Sequence, residues 1–243
     1  MHNVFLTQYF DWSERKLSRK DQLINAILSK LGYRSRLALP QFTGLMTNIE
    51  QRMNMYHLAS QVLVYGVPGD FVELGCNVGQ SAVLFQKVIE HYDPTRTLHV
   101  YDSFEGLPDL AAQDGNTPFF KGQMAVQQSE LVRNFQALSA KLPVVHVGWF
   151  NDTLPTQLPE RISFAHLDGD LYDSIKVSLE YVYPRLSKGA VCLIDDYADP
   201  SVLDGWNELP GVKQACDEYL KNKPEKVSVL YAHNFAHGFF RKA

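Results

Sequence analysis

The chain has 243 residues, of which 45% are apolar and 21% are charged, and its net charge is −4 at pH 7. This composition is typical of a globular protein with a sizeable core and excludes disorder for most of the chain. The small acidic excess argues against a general nucleic-acid binder, because such a protein needs a basic surface. We find no apolar run of about eighteen residues and no signal-peptide core near the N-terminus, so we expect neither a membrane span nor a secretion signal.

The cysteines are few and widely separated in the sequence. Cys76, Cys192 and Cys216 fall in different predicted elements, and no C-x-x-C pair occurs. Zinc ribbons and dithiol redox motifs are therefore not expected. This usage is typical of a reducing compartment, and we predict a cytoplasmic protein.

The first part of the chain predicts two helices. Apolar residues near helical spacing indicate one helix over residues 21–31 and another over residues 47–65, which Gly66 and Pro68 end. We predict an N-terminal helical segment over residues 1–65 and a main domain over residues 66–243.

In the main domain, short apolar runs alternate with helical patterns. The predicted strands are 71–74, 98–101, 144–147, 162–167 and 191–194, and the predicted helices are 81–91, 129–141, 173–186 and 212–221. This alternation predicts parallel strands with helices on both faces. Strands 226–232 and 235–241 leave no room for a helix, so we expect an antiparallel hairpin, turned with the help of Asn234 and Gly238. The predicted fold is an α/β, doubly wound, mostly parallel seven-stranded sheet.

A glycine-rich turn follows the first predicted strand. In open α/β sheets ligands bind beyond the carboxyl ends of the strands, so the residues there are the candidates for a site. Gly75 allows a tight turn and Gly79 allows close packing of the next helix. The spacing E-x-G-x-x-x-G differs from the dinucleotide fingerprint, and Glu73 suits a cationic or hydroxylated ligand. An ordinary strand-to-helix turn explains the pattern equally well.

Asp102 ends the second predicted strand, 27 residues after Gly75. A carboxylate at this place commonly accepts the two ribose hydroxyls of a nucleoside. The alternative is a helix cap or a turn aspartate. Taken together, Gly75 and Asp102 favour a nucleoside ligand.

Four aspartates follow two neighbouring predicted strands. Asp168 and Asp170 point the same way if the chain stays extended, and Asp195 and Asp196 end the next strand. Such crowding costs free energy unless a cation offsets the repulsion, and all-oxygen ligands select Mg²⁺ first. The alternative is that some of the four cap helices or form salt bridges, as we expect of Asp173 at a helix N-cap.

Two further features stay open. His99, His146 and His166 lie within predicted strands and are expected to be packed. His233 and His237 flank the final turn, where either they line the site or, as we favour, they have a loop role. The segment over residues 109–126 is long for a loop in a compact domain. A mobile lid and a disordered surface excursion explain it equally well.

Several of these motifs occur together in one known family. They are E-L-G-C-N-V-G-Q-S (73–81), D-S-F-E-G-L-P (102–108), G-W-F-N-D-T-L-P (148–155), L-D-G-D-L-Y-D-S (167–174) and I-D-D-Y (194–197). In order and spacing they resemble the macrocin O-methyltransferase family, which includes the mycinamicin and novobiocin sugar O-methyltransferases. The resemblance covers the chain from about residue 43 to its end and implies the class I, Rossmann-like methyltransferase fold.

The resemblance implies S-adenosylmethionine- and Mg²⁺-dependent methyl transfer to a hydroxyl, typically on a sugar of a natural product. It implies that Asp168, Asp195 and Asp196 hold the metal and that Asp170 is the general base. The implied cofactor contacts are Glu73, Gly75, Asn77, Gly79, Ser81, Asp102 and Ser103, with Gly148 and Trp149 beside the adenine and Thr47 over the methionine end. The segment over residues 109–126 matches a mobile lid of the family.

Other functions are weighed against this one. A phenol or catechol acceptor satisfies the same chelation by neighbouring hydroxyls, and a non-catalytic nucleoside-binding protein would share the fold. A nicotinamide or nucleotide-sugar oxidoreductase is disfavoured because G-x-G-x-x-G is absent. As partners we predict a small hydroxylated acceptor, a glycoside or polyol with a vicinal diol, and a second copy of the chain in a homodimer. We predict no nucleic-acid or membrane partner.

Overall fold

The computed structural model describes residues 19–32, 46–202 and 205–243 of the chain. By packing, the chain divides into two units, Met1–Thr47 and Asn48–Ala243. The described part of the first unit contains helix α1 (Arg19–Lys30), which confirms the helix expected over residues 21–31. Helix α2 (Ile49–Val64) packs in the second unit, and the functional division proposed at residue 65 stays a prediction.

A seven-stranded sheet forms the centre of the second unit. Its strands are β1 (Asp70–Leu74), β2 (Leu98–Asp102), β3 (Val144–Val147), β4 (Ile162–Leu167), β5 (Leu186–Ile194), β6 (Ser228–Ala232) and β7 (Phe235–Arg241). The order is β3-β2-β1-β4-β5-β7-β6. Strands β1 to β5 pair in parallel, and β7 is antiparallel to both β5 and β6. The predicted mostly parallel sheet with an antiparallel hairpin is confirmed.

Helices cover this sheet in two layers. They are α2, α3 (Gln80–Tyr92), α4 (Gln128–Ala137), α5 (Phe150–Gln157), α6 (Tyr172–Val182) and α7 (Pro210–Leu220), with 3₁₀ turns at Ala112–Asp114 and Tyr183–Arg185. Helices α2, α3 and α4 pack together, and so do α5, α6 and α7. The chain winds from β1 outward in both directions, so β1 and β4 flank the point where the strand order reverses and ligands bind.

The core lies on both faces of the central strands. Every residue of β4 is buried, including the polar Ser163 and His166, as is typical of a central strand covered by helices on both faces. The ring centroid of Phe164 lies 5.0 Å from those of Phe71 and Phe85, and all three side chains are fully buried.

Three local predictions are wrong. Helix α5 was not expected, because Pro155 interrupts an already short apolar pattern. Strand β5 begins at Leu186 rather than Val191, since the polar residues Ser187 and Lys188 hide its first half in the sequence. Gly238 does not help the turn but lies inside β7 opposite Ile194, where a Cβ would come 2.6 Å from Cγ of Tyr197.

Within residues 19–32, 46–202 and 205–243, no helix is both long enough and apolar enough to cross a membrane.

Glu225 is a buried carboxylate that ties the last strand to the body of the unit. It accepts hydrogen bonds from Oη of Tyr183 (2.6 Å), Nζ of Lys242 (2.8 Å) and the backbone N–H of Ala243 (3.0 Å). Burial by itself raises the pKa of a carboxyl group. Here the donors outweigh burial and lower the pKa of Glu225 to about 2.

We therefore expect Glu225→Gln to destabilise the protein in a pH-dependent way. Because the folded pKa is depressed, the stabilisation is present above the ordinary glutamate pKa of about 4.3 and is lost as the pH falls toward about 2. At pH 7 the expected loss is roughly 1.5 kcal/mol, or about 3–6 °C in Tm. Thermal unfolding of Glu225→Gln and of the exposed control Glu160→Gln at pH 7 and pH 3.5 measures it. An equal Tm for both variants at pH 7 would contradict the role of Glu225.

Candidate active site

The glycine-rich turn brings the carboxyl ends of β1 and β4 into direct contact. Gly75 has φ +89°, and a Cβ there would lie 1.8 Å from the carbonyl oxygen of Asp168. The backbone N–H of Gly75 donates to the carbonyl of Tyr101 (2.8 Å), and that of Asp168 donates to the carbonyl of Leu74 (2.8 Å). Only glycine fits this position, so the turn predicted after β1 is determined by the approach of β4.

Gly79 was expected to let α3 pack closely on β1, but the close contact at Gly79 is with α4. It is the N-cap residue of α3 with φ +81°. A Cβ there would lie 3.1 Å from Leu131 and from Phe135, which both belong to α4. Gly79 therefore allows α3 and α4 to pack closely.

Asp102 connects the glycine-rich turn to the loop after β2 through the two oxygens of its carboxylate. Oδ2 accepts from the backbone N–H of Asn77 (2.7 Å), and Oδ1 accepts from that of Phe104 (2.7 Å). Burial raises the pKa of Asp102, while these backbone donors lower it in part. Each carboxylate oxygen keeps a further lone pair, so the side chain can still accept a hydroxyl donor. The backbone N–H of Gly148 donates to the carbonyl of Asp102 (2.9 Å), which places Gly148 and Trp149 beside it.

Glu73 lies beneath the turn. Its side chain is fully buried, and Oε1 lies 2.9 Å from Nδ1 of His166, which is also fully buried. Oε2 of Glu73 and Nε2 of His166 find no hydrogen-bond partner within the described part of the chain. The predicted cofactor contact of Glu73 remains a prediction.

Three other predicted cofactor contacts, Ser103, Ser81 and Thr47, lie in different parts of the structure. Ser103 Oγ accepts from the backbone N–H of Glu105 (3.1 Å) in the turn after β2. Ser81 is buried in the first turn of α3. Thr47 ends the first unit, and its contact with the cofactor stays a prediction.

The four aspartates form two overlapping groups. Ligand atoms of Asp168, Asp170 and Asp196 lie within 4.8 Å of one another, and so do those of His166, Asp168 and Asp195. Asp168, Asp170 and Asp196 are half-buried, and they follow the carboxyl ends of the neighbouring strands β4 and β5. We call these four aspartates the acid cluster. The four aspartates lie near one another as predicted, but Asp195 and Asp196 fall in different groups, and Asp168 is the member common to both.

The aspartates converge through turns of the backbone and not through the extended chain that we expected. The chain does not stay extended through Asp170, whose φ is +60°, and Asp196 has φ +54°. The backbone N–H of Leu171 donates to the carbonyl of Gly169 (2.6 Å), so the chain turns sharply after β4. Two left-handed turns, rather than the alternation of a strand, bring the carboxylates together.

Burial and neighbouring charges change the pKa values of all four aspartates of the acid cluster. Burial raises the pKa of Asp168 and of Asp196, and the neighbouring carboxylates raise both further. Burial, followed by Asp195 and Asp102, raises the pKa of Asp170 to about 7. Burial also disfavours ionised Asp195, but His237 and His166 outweigh it and the net pKa of Asp195 is lowered.

His237 lies beside the acid cluster, although a loop role was favoured for it over a place in the site. It lies in β7 rather than in the final turn, is fully buried, and places Nε2 2.8 Å from Oδ1 of Asp195. His166 was expected only to be packed, yet it shares a possible ligand group with Asp168 and Asp195. The two-residue spacing between His166 and Asp168 is the sequence signal for this group, because side chains two residues apart in extended backbone point to the same side.

Asp173 does not cap α6, contrary to the expectation. The N-cap residue is Leu171, which makes no side-chain cap, and Asp173 is exposed in the first turn. The backbone N–H of Tyr172 is instead satisfied by Oδ1 of Asp114 (2.8 Å). Asp114 is buried and lies in the segment over residues 109–126, so this segment is tied directly to the start of α6.

The segment over residues 109–126 has two further anchors near the glycine-rich turn. The backbone N–H of Gly122 donates to the carbonyl of Leu107 (2.8 Å). Nδ2 of Asn77 donates to the carbonyl of Met124 (3.0 Å). The segment therefore lies against the site, as the predicted lid would.

These features together define a class of protein. A doubly wound sheet with antiparallel β7, a glycine turn after β1 and a carboxylate after β2 is the arrangement of class I O-methyltransferases. The solved structure of the O-methyltransferase NovP has this fold, with a TM-score of 0.68, 26% identity and 85% of each chain covered.

Sequence comparisons identify the family within that class. The model of the macrocin O-methyltransferase (TylF) family matches residues 8–223. The chain is 34% identical over 181 residues to a tetracenomycin 4'-O-methyltransferase of Streptomyces olivaceus, covering 71% of the chain and 69% of the relative. It is 32% identical over 195 residues to the mycinamicin III 3''-O-methyltransferase of Micromonospora griseorubida, covering 75% and 76%. The chain belongs to the macrocin O-methyltransferase family and is an S-adenosylmethionine-dependent O-methyltransferase.

The close contact at Gly75 generates a stability prediction. Gly75 and Gly122 both have positive φ, but a Cβ at Gly122 meets nothing within 4 Å. We expect Gly122→Ala to cost about 1 kcal/mol through backbone strain alone. We expect Gly75→Ala to cost more than about 4 kcal/mol, because the methyl group overlaps the backbone of β4. Urea unfolding of the two variants compares them, and equal losses would refute the contact.

Proposed function

We propose that the protein methylates a hydroxyl on the sugar of a glycoside natural product and uses Mg²⁺ held by the acid cluster. The observation that carries the proposal is the pair of overlapping groups, Asp168–Asp170–Asp196 and His166–Asp168–Asp195, in each of which the ligand atoms lie within 4.8 Å of one another. The names of two relatives, a methyltransferase of a rhamnosyl tetracenomycin and one of mycinamicin III, support a glycosidic acceptor. These names favour a sugar hydroxyl over the phenol or catechol alternative.

The proposed cofactor site runs along the glycine-rich turn. Asp102 would accept the ribose hydroxyls, since both of its oxygens retain acceptor capacity. Ser103, Gly148 and Trp149 lie beside Asp102, where the adenine of a bound nucleoside would extend. Bound S-adenosylmethionine supplies an electrophilic methyl group on its sulfonium.

The donor set of the acid cluster fits a hard divalent cation. Carboxylate oxygens are the ligands that Mg²⁺ prefers. Burial and then mutual repulsion raise the pKa values of Asp168 and Asp196, and a bound cation would offset that repulsion. We propose Asp168, Asp195 and Asp196 as the metal ligands, with His237 orienting Asp195 from behind. There Mg²⁺ would act as a Lewis acid that orients a vicinal diol and lowers the pKa of its hydroxyl.

Asp170 is the proposed general base. Asp170 is half-buried, lies with Asp168 and Asp196, and has a left-handed backbone conformation. Burial, and then the charges of Asp195 and Asp102, raise its pKa to about 7, which makes it a stronger base than an exposed aspartate. Asp170 would take the hydroxyl proton as the oxygen attacks the methyl group.

We further propose a cytoplasmic homodimer. Helix α1 exposes Leu23 and Ile27, and helix α2 exposes Ile49 and Met53. Apolar helix faces of this kind support self-association. The three cysteines are free and buried, which suits a reducing compartment. Light scattering coupled to size exclusion measures the oligomeric state.

Cofactor binding is tested at Asp102. We expect Asp102→Ala to weaken S-adenosylhomocysteine binding by roughly 10- to 100-fold, as for loss of hydrogen bonds to a charged group. Calorimetric titration measures the affinity. Asp152→Ala, which removes an exposed carboxylate of α5, is the control and should bind normally. Unchanged affinity in Asp102→Ala would exclude the proposed ribose contact.

The metal and base roles are separated by variants within the two aspartate motifs. We expect Asp196→Ala to abolish Mg²⁺ binding, because it removes a proposed metal ligand. We expect Asp170→Asn to lower kcat by roughly 10²- to 10⁴-fold, because it removes the proposed base, while the affinity for S-adenosylhomocysteine is retained. The control is Asp173→Asn, because Asp173 is exposed three residues from Asp170. Calorimetry with Mg²⁺ and methyl-transfer assays with and without EDTA measure both. A wild type that is insensitive to EDTA would exclude the metal, and normal turnover in Asp170→Asn would exclude the base.

A further inference from the structure

We propose that Phe119, Trp206 and Phe235 form a shelf that binds a flat, apolar aglycone of the acceptor, next to the sugar at the acid cluster. We call these three residues the aromatic shelf. The inference rests on the proposed function and extends it, because it assigns a substrate feature beyond the methylated sugar.

The three rings come from different parts of the chain and contact one another in space. The ring centroids of Trp206 and Phe235 lie 5.6 Å apart, and those of Phe119 and Trp206 lie 6.4 Å apart, nearly edge to face. The backbone N–H of Trp206 donates to the carbonyl of Asn234 (2.9 Å). This bond fixes Trp206 against the start of β7, where Phe235 lies.

Strand pairing places the aromatic shelf at the edge of the sheet where the acid cluster lies. In the antiparallel β5–β7 pair, Ile194 at the end of β5 is opposite Gly238. Phe235 is three residues farther along β7, roughly 10 Å beyond the end of β5. Phe235 and His237 are two residues apart and so share a face of β7, and His237 contacts Asp195.

The other side of the shelf is held by the segment over residues 109–126. Phe119 lies in this segment, which Asp114 ties to the backbone N–H of Tyr172 (2.8 Å), two residues after Asp170. A Cβ at Gly115 would come 3.7 Å from Cγ of Pro210 at the start of α7. The shelf is thus anchored to the elements that carry the acid cluster.

The exposure of the shelf distinguishes it from the core. The cluster of Phe71, Phe85 and Phe164 is fully buried, whereas each ring of the aromatic shelf is half-buried. Half-buried aromatic faces retain apolar surface that a ligand can cover, and rings stack on flat apolar groups. A sugar bound at the acid cluster would direct its aglycone outward onto these faces.

The test compares two glycosides that differ only in the aglycone. The probes are 4-nitrophenyl α-L-rhamnopyranoside and methyl α-L-rhamnopyranoside, titrated into the full chain with S-adenosylhomocysteine and Mg²⁺. We expect wild type to bind the aryl glycoside about 10-fold more tightly, as stacking on such a shelf would give. We expect Trp206→Ala to reduce this preference to about 2-fold or less, with unchanged affinity for the methyl glycoside.

Two variants guard against loss of folding as an explanation. Trp206→Phe should keep most of the aryl preference, because it retains a ring. Phe120→Ala, which removes an exposed ring next to Phe119 and outside the shelf, should keep all of it. An unchanged preference in Trp206→Ala, or an equal loss in Phe120→Ala, overturns the aromatic shelf.

The proposed function is judged separately, by transfer of a methyl group to the methyl glycoside in a mass-spectrometric assay. A wild type that methylates this glycoside but binds both probes equally overturns the aromatic shelf alone. A wild type that binds S-adenosylhomocysteine but neither glycoside overturns both the shelf and the proposed acceptor.

Discussion

The contact between Gly75 and the backbone of Asp168 is the constraint on which the site depends. It holds the ends of β1 and β4 so close that no side chain fits between them. On one side of this contact the turn presents the backbone N–H of Asn77 to Asp102. On the other side the chain turns at once into Asp170. The proposed cofactor half of the site and the acid cluster are therefore positioned by a single backbone approach.

The crowding of carboxylates beside this contact opposes folding unless something offsets it. Burial and then the neighbouring charges raise the pKa values of Asp168, Asp170 and Asp196, whereas His237 in β7 and His166 in β4 lower the pKa of Asp195. The left-handed backbone at Asp170 and Asp196 adds a further strain. Strain and repulsion concentrated at one edge of a sheet are expected where a site binds a cation and performs chemistry.

Local sequence patterns predicted most of the sheet because buried parallel strands are short apolar runs with clear ends. The same patterns missed α5, whose few residues include Pro155, and the polar first half of β5. The aspartates were predicted to meet because neighbouring parallel strands end at one edge, although the geometry at Asp170 differs from the expectation. His237 could not be found this way, because its contact with Asp195 depends on insertion of β7 between β5 and β6.

The same reasoning explains why the acceptor is the least predictable part of the enzyme. Cofactor and acid residues follow individual strands, so each leaves a local motif. Phe119, Trp206 and Phe235 are far apart in the sequence and meet only because three separate segments converge beyond β5. No spacing rule links such residues, and a ring in a loop can be replaced without disturbing the sheet. A family can therefore keep its chemistry at the strand ends while the loops above them change the acceptor.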